Sequence, residues 1–229
     1  VAQAALAPGA DVAALKEDLA EFVTGAEPAE RHQGIPFPGT FVVDADGRVT
    51  ARFFEDSYRE RTTIANVMVR VGVGAAPVGG LRASTDHLEV TTYPSDAQVS
   101  RANHFSLVLD VTPRPGMHVY APGAEGYRVI SLKVAPQTFL RPLSLTYPEP
   151  EIYHFQPLDE RVRVYQKPFT LLQEVVLDNQ PEGEDSLRVD GTLEYQACDD
   201  KICYNPVSVP LSWTLRFRPR VGALAPAAR

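Results

Sequence analysis

The chain has 229 residues with a net charge of −7, a pI near 5.3, 44% hydrophobic and 22% charged residues. That is enough chain for one large or two modest domains of ordinary globular composition. The acidic balance argues against a nucleic-acid-binding surface, and with no apolar run of membrane-spanning length, no segment is expected to cross a bilayer. Pro 20 and Gly 15 beside two Met and one Trp point to many turns and short strands. The chain does not begin with Met and shows no charged–apolar–small leader pattern, which is expected of a processed product.

In chain order, residues 11 to 24, DVAALKEDLAEFVT, read as a helix. Asp11 is a suitable N-cap, and Val12, Leu15, Leu19, Phe22 and Val23 share one face. Residues 25 to 38 are broken by Gly and Pro. Phe41, Val42 and Val43 form a short apolar strand, and DADGR turns the chain at Gly47. Val49 to Phe54 is the return strand. DADG lacks the remaining ligand positions of a calcium loop, so it reads as a hairpin turn. A helix is expected over about 58 to 71, with Ile64, Val67, Met68 and Val71 on one face and Gly72 at its end. The Gly-, Ala- and Pro-rich stretch that follows reads as a linker, set at residues 77 to 84.

From residue 85 alternation replaces helical spacing. Phe105, Leu107, Leu109 and Val111 fall on one face; so do Leu187, Val189, Leu193 and Tyr195, with an irregularity at Gly191. The cleanest run is Val207, Val209, Leu211, Trp213, Leu215 and Phe217, a half-buried strand. Pro210 places that strand at an edge or a bulge. Further strands are expected near 88 to 92, 127 to 134 and 169 to 177. Strands separated by Pro/Gly turns, without helices, predict an antiparallel sandwich over 85 to 218, with a frayed tail from 219 to 229. Carboxylates at Glu149, Glu151, Asp159 and Glu160 read as a solvated loop.

Both cysteines lie in EYQACDDKICYNPVSVPLSW, with four residues between Cys198 and Cys203. They are expected at the two ends of the connection between consecutive strands, where facing Cα atoms approach to about 4.5–5.5 Å, within reach of a disulfide. A staple would gain only about 2 kcal/mol from so short a loop. A zinc site lacks two further ligands at a recognisable spacing, although His118 and His154 could assist. A redox pair fits best, because a disulfide at a surface tip is open to a partner thiolate. Asp199 and Asp200 should raise the neighbouring thiol pKa, with Lys201 opposing them.

At these residues the sequence resembles the N-terminal periplasmic domain of the DsbD thiol:disulfide interchange family. The resemblance rests on Tyr195, Gln196, Cys198, Cys203, Tyr204 and Pro206, and on the upstream PGMHVYAPG. It covers about 85 to 218. It implies a mainly β chain: an immunoglobulin-like sandwich with the cysteine pair at one end. The implied function relays reducing equivalents from a membrane-embedded donor to thioredoxin-like oxidoreductases in the periplasm or another extracytoplasmic space, with no further cofactor. It implies that Cys203 is the sulfur that engages the partner. It implies a cap segment at 151 to 165, with Phe155 as the first and Leu158 as the second shielding candidate, and His118 and Tyr120 lining the site. The rival reading is an Ig-like binding or scaffold domain whose disulfide is purely structural.

Residues 32 to 72 are similar to the C-terminal half of AhpC/TSA peroxiredoxin-like thioredoxin folds, which makes 1 to 76 a partial thioredoxin-like α/β segment. Pro38 stands where that fold carries a cis-proline. No cysteine accompanies it, so peroxidase chemistry is excluded for this chain.

Overall fold

The computed structural model describes residues 38–55, 57–73, 80–155 and 159–219. The helix expected over 11 to 24, Leu158 and most of the tail lie outside the described residues. The chain divides into two compact units, 1–61 and 62–229. No helix among the described residues is long and apolar enough to cross a membrane.

In the first unit, β1 (Gly39–Val43) pairs antiparallel with β2 (Val49–Phe54). The turn forms because Asp44 Oδ1 accepts the N–H groups of Asp46 and Arg48, while Gly47 takes φ +82°. The peptide bond before Pro38 involves residue 37, outside the described residues. A short β3 (Arg61–Thr62) follows.

In the second unit, α1 spans only Ile64–Arg70. The expected start near 58 was too early, because Thr63 is the N-cap and its hydroxyl accepts the Asn66 N–H. Its buried residues are Asn66 and Val67, while Ile64 and Met68 are exposed. Polar bonds set this rotation: Ser106 Oγ donates to Asn66 Oδ1 at 2.6 Å, and Thr63 Oγ1 donates to Asp96 at 2.7 Å.

The remaining strands are β4 (Leu81–Ser84), β5 (Leu88–Pro94), β6 (Asn103–Pro113), β7 (His118–Tyr120), β8 (Ser131–Val134), β9 (Leu140–Thr146), β10 (Glu151–Phe155), β11 (Glu160–Tyr165), β12 (Phe169–Leu177), β13 (Ser186–Tyr195), β14 (Ala197–Cys198) and β15 (Val207–Arg216). Leu81 to Ser84, expected as linker, form an edge strand on β5; their Gly-rich approach hides it in the sequence.

One sheet runs β4-β5-β6-β12-β9 and faces a second, β15-β13-β8. Val90, Phe105, Leu107, Leu109, Leu171 and Val175 of the first meet Val189, Leu193, Val209, Leu211 and Trp213 of the second in one buried core. This is an immunoglobulin-like antiparallel sandwich. Burying each such side chain contributes roughly 1.5–3 kcal/mol, which makes this core the main source of stability. Pro210 is exposed on β15, an edge strand, where its missing N–H removes no ladder bond from a neighbour. A third sheet, β10-β11-β7-β14, carries the cysteine pair at its β14 edge.

Gly191 answers its own irregularity. A Cβ there would lie 3.0 Å from the Lys133 carbonyl oxygen and 3.1 Å from the Trp213 ring. Gly191→Ala should therefore destabilise the fold by about 1–3 kcal/mol through overpacking. A urea melt with unchanged midpoint would refute this.

Glu174 ties β12 to α1 and β6, meeting Arg70 Nη1 at 3.1 Å and His104 Nδ1 at 3.3 Å. Burial alone would raise its pKa. The His104 hydrogen bond and the Arg70 charge outweigh burial and hold the carboxyl below its usual range. A depressed folded pKa gives stability that is present above the unfolded carboxyl's pKa of about 4.3 and lost as pH falls through the folded value. Glu174→Gln should lower stability at pH 7 by about 1–3 kcal/mol, with the deficit vanishing in acid. Melts of both proteins from pH 7 to pH 3 measure it.

Candidate redox site

The cysteines do not close a simple hairpin. β13 stays paired with β15 as far as Tyr195↔Val207, then the chain changes sheet. Ala197 and Cys198 form β14 and pair with Val119 and His118 of β7. The chain returns through Cys203, which makes an antiparallel bridge with Cys198. Gln196 stands at the crossing. Its Oε1 accepts the Arg128 N–H and its Nε2 donates to the Tyr204 carbonyl, each at 3.0 Å. Tyr204 N–H donates to Ala197 O at 2.9 Å.

Cys198 and Cys203 are disulfide-bonded with Cα atoms 4.1 Å apart. The two sulfurs are unequally placed: Cys198 is 1% exposed, whereas Cys203 is exposed. Ile202 beside it is 57% exposed, an apolar contact available to a partner.

Around the buried sulfur stand the aromatic residues of β7 and the β10–β11 hairpin. Tyr120 Oη lies 2.8 Å from Cys198 Sγ and 3.4 Å from Cys203 Sγ. A disulfide sulfur carries no proton, so the phenol donates. Tyr120 stacks on Tyr127 with centroids 3.9 Å apart, and Tyr127 Oη donates to Glu160 Oε2 at 2.7 Å. Burial, reinforced by Tyr127 and Glu160, pushes the Tyr120 phenol far up. It remains a protonated donor at any physiological pH.

His118 is buried, and its ring lies 5.6 Å from Tyr120 and 4.5 Å from Tyr153. Burial lowers its pKa, with the Asp199 charge opposing, which favours the neutral ring at pH 7. Phe155 ends β10 and lines, with Tyr153 and both cysteines, a cleft of about 150 Å³. The segment at 151 to 165 is thus two paired strands, β10 and β11, docked on β7 through Val164↔Tyr120. Its tip lies outside the described residues.

Cys198, Cys203, His118, Tyr120 and Phe155 therefore meet at one cleft. Glu160, expected on a solvated loop, instead begins β11 half-buried and accepts from Tyr127, while Tyr127 and the role of Gln196 carry no periodic signal in the sequence. Asp199 enters the sequence reading only as a charge. It also accepts N–H groups at i+2 and i+3, a pattern that the turn chemistry of Asp could have revealed.

A disulfide with one exposed sulfur, at the edge of an Ig-like sandwich, is the feature that places the chain in a class. The family described as "Thiol:disulfide interchange protein DsbD, N-terminal" matches residues 87–209, more than half of the chain. The chain belongs to that family. Among solved structures it is similar to the N-terminal periplasmic domain of ScsB from Proteus mirabilis, at 18% identity over 63% of this chain and 53% of that one, with a TM-score of 0.42. It is also similar to the Neisseria meningitidis DsbD N-terminal domain in the reduced form, at 17% identity over 48% of this chain and 82% of that one, with a TM-score of 0.33. The chain thus spans about half the length of the ScsB domain. No curated protein matches. The family match does not extend to the first 86 residues.

Tyr120→Phe keeps the ring stack and removes the donor at Cys198. Reduction of the disulfide by dithiothreitol should slow by about tenfold, the worth of one hydrogen bond to a developing thiolate. A stopped-flow rate equal to wild type would remove Tyr120 from the chemistry.

Proposed function

We propose that this chain relays reducing equivalents by thiol:disulfide exchange through Cys198 and Cys203. Its partners are a membrane-embedded electron donor and thioredoxin-like oxidoreductases outside the cytoplasm, in the periplasm. The observation that supports this reading is the asymmetry of the pair: an exposed Cys203 bonded to a buried Cys198 that already accepts a hydrogen bond from Tyr120.

A donor thiolate attacks Cys203 Sγ, the S–S bond breaks and the electron pair leaves on Cys198 Sγ, toward the Tyr120 hydroxyl. The donor's second thiolate then attacks its own sulfur in the mixed disulfide and releases Cys203. The donor is now a disulfide, and the pair is a dithiol after taking up two protons. Toward an acceptor, Cys203 thiolate attacks the acceptor disulfide. Cys198 thiolate then attacks Cys203 Sγ, restoring the intramolecular bond and releasing the acceptor as a dithiol. Phe155 shields the pair between encounters. The reading of residues 1 to 76 as a partial thioredoxin-like segment of AhpC/TSA type, with Pro38 at the cis-proline position, rests on its sequence resemblance and is supported by the β1–β2 ribbon.

Cys198→Ser should trap a mixed disulfide with an oxidised thioredoxin-like protein, because the resolving thiol is gone, and Cys203→Ser should trap little. Either variant should lose only about 2 kcal/mol of stability relative to the oxidised protein. Non-reducing gels and urea melts report both. Absence of trapping, with a large stability loss and a reduction potential below about −300 mV, would favour the Ig-like scaffold with a structural disulfide. Trapping by Cys203→Ser alone would reverse the two roles.

A further inference from the structure

Four residues join the cysteines, and reduction would free them if the S–S bond were all that closed the loop. The hydrogen bonds in the loop do not involve the sulfurs. Asp199 Oδ1 accepts the N–H groups of Lys201 at 2.7 Å and Ile202 at 2.6 Å. Asp199 Oδ2 accepts the Tyr204 hydroxyl at 3.0 Å, and Asp199 N–H donates to Ile202 O at 3.0 Å. The residue after Cys198 is thus joined to the residues on both sides of Cys203. Tyr204 is anchored in turn: Gln196 and Ala197 hold its backbone, and its ring packs on His87 with centroids 4.6 Å apart. Asp200 carries the same charge in the same loop and is exposed.

We propose that Asp199 is a positioning residue whose carboxylate keeps the loop closed in the dithiol state, holding the two thiols together and thereby lowering the reduction potential of the pair. The inference deepens the exchange reading above and rests on it. With glutathione the balance is protein disulfide plus two glutathione thiols giving protein dithiol plus glutathione disulfide. The tendency to run backward grows with the effective concentration of Cys198 and Cys203 for each other in the reduced protein. A loop held by its own hydrogen bonds keeps that concentration high. A loop closed only by the S–S bond would let it fall on reduction. The N–H groups of Ile202 and Lys201 hold the Asp199 carboxyl below its usual range, so it is ionised at neutral pH and keeps both as partners.

The test is redox titration of the full chain in glutathione buffers at pH 7, with amide hydrogen exchange on the oxidised and dithiothreitol-reduced forms. Asp199→Ala should raise the equilibrium constant for reduction by about tenfold, equivalent to about 30 mV. Asp199→Asn, which keeps an acceptor oxygen, should stay within about threefold of wild type, as should Asp200→Ala, which removes only charge. In the wild type, the Lys201 and Ile202 amides should stay protected after reduction. Loss of their protection on reduction, a wild-type potential in Asp199→Ala, or an equal shift in Asp200→Ala would each overturn the proposal. If the wild-type disulfide does not equilibrate with glutathione, the exchange reading fails. The amide protection of the reduced protein then still decides whether the clamp exists.

Discussion

The site depends on one change of sheet. Up to Tyr195 the chain is bound into the sandwich by the β13–β15 ladder, and two residues later it is bound to β7. Gln196 ties the crossing to its neighbours, its side chain accepting the Arg128 N–H and donating to the Tyr204 carbonyl. Cys198 is buried because it lies on the far side of that crossing, against Tyr120 and Val164. Cys203 is exposed because the chain must come back out to begin β15. The chemical inequality of the sulfurs thus follows from topology.

That inequality decides what the disulfide can do. Exchange needs access to one sulfur and a stabilised departure of the other. In the proposed exchange, exposure would supply the first at Cys203 and the Tyr120 hydroxyl the second at Cys198. The phenol is held by its stack on Tyr127, and Tyr127 by Glu160 at the start of β11. The hairpin that lines the cleft therefore also orients the donor within it. A displacement of β10–β11 would both open the cleft and loosen the Tyr120 hydrogen bond.

The long strands were legible because a sandwich face repeats every second residue. Val207 to Phe217 announces its buried side without any knowledge of what it packs on. The cysteine pair was legible by composition alone. What could not be read are features with no period. β14 is two residues long, α1 is rotated by Asn66 and Thr63 rather than by its apolar face, and β4 is a strand only because β5 offers it an edge. The strands β10 and β11 read as a loop because Tyr153, Phe155 and Val162 line the cleft instead of the main core, while Ile152 is exposed.

The stability of the domain and the chemistry of its tip are therefore separable. A disulfide closing so short a loop contributes about 2 kcal/mol. The sandwich core buries Trp213, Phe105, Leu107, Leu193 and more than a dozen other side chains, each worth a comparable amount before conformational entropy is set against it. Breaking the S–S bond removes none of that burial. The third sheet keeps its own anchor in the β11–β7 ladder, which involves no sulfur. The proposed relay requires this arrangement, because a disulfide on which the fold depended could not be given up at each turnover.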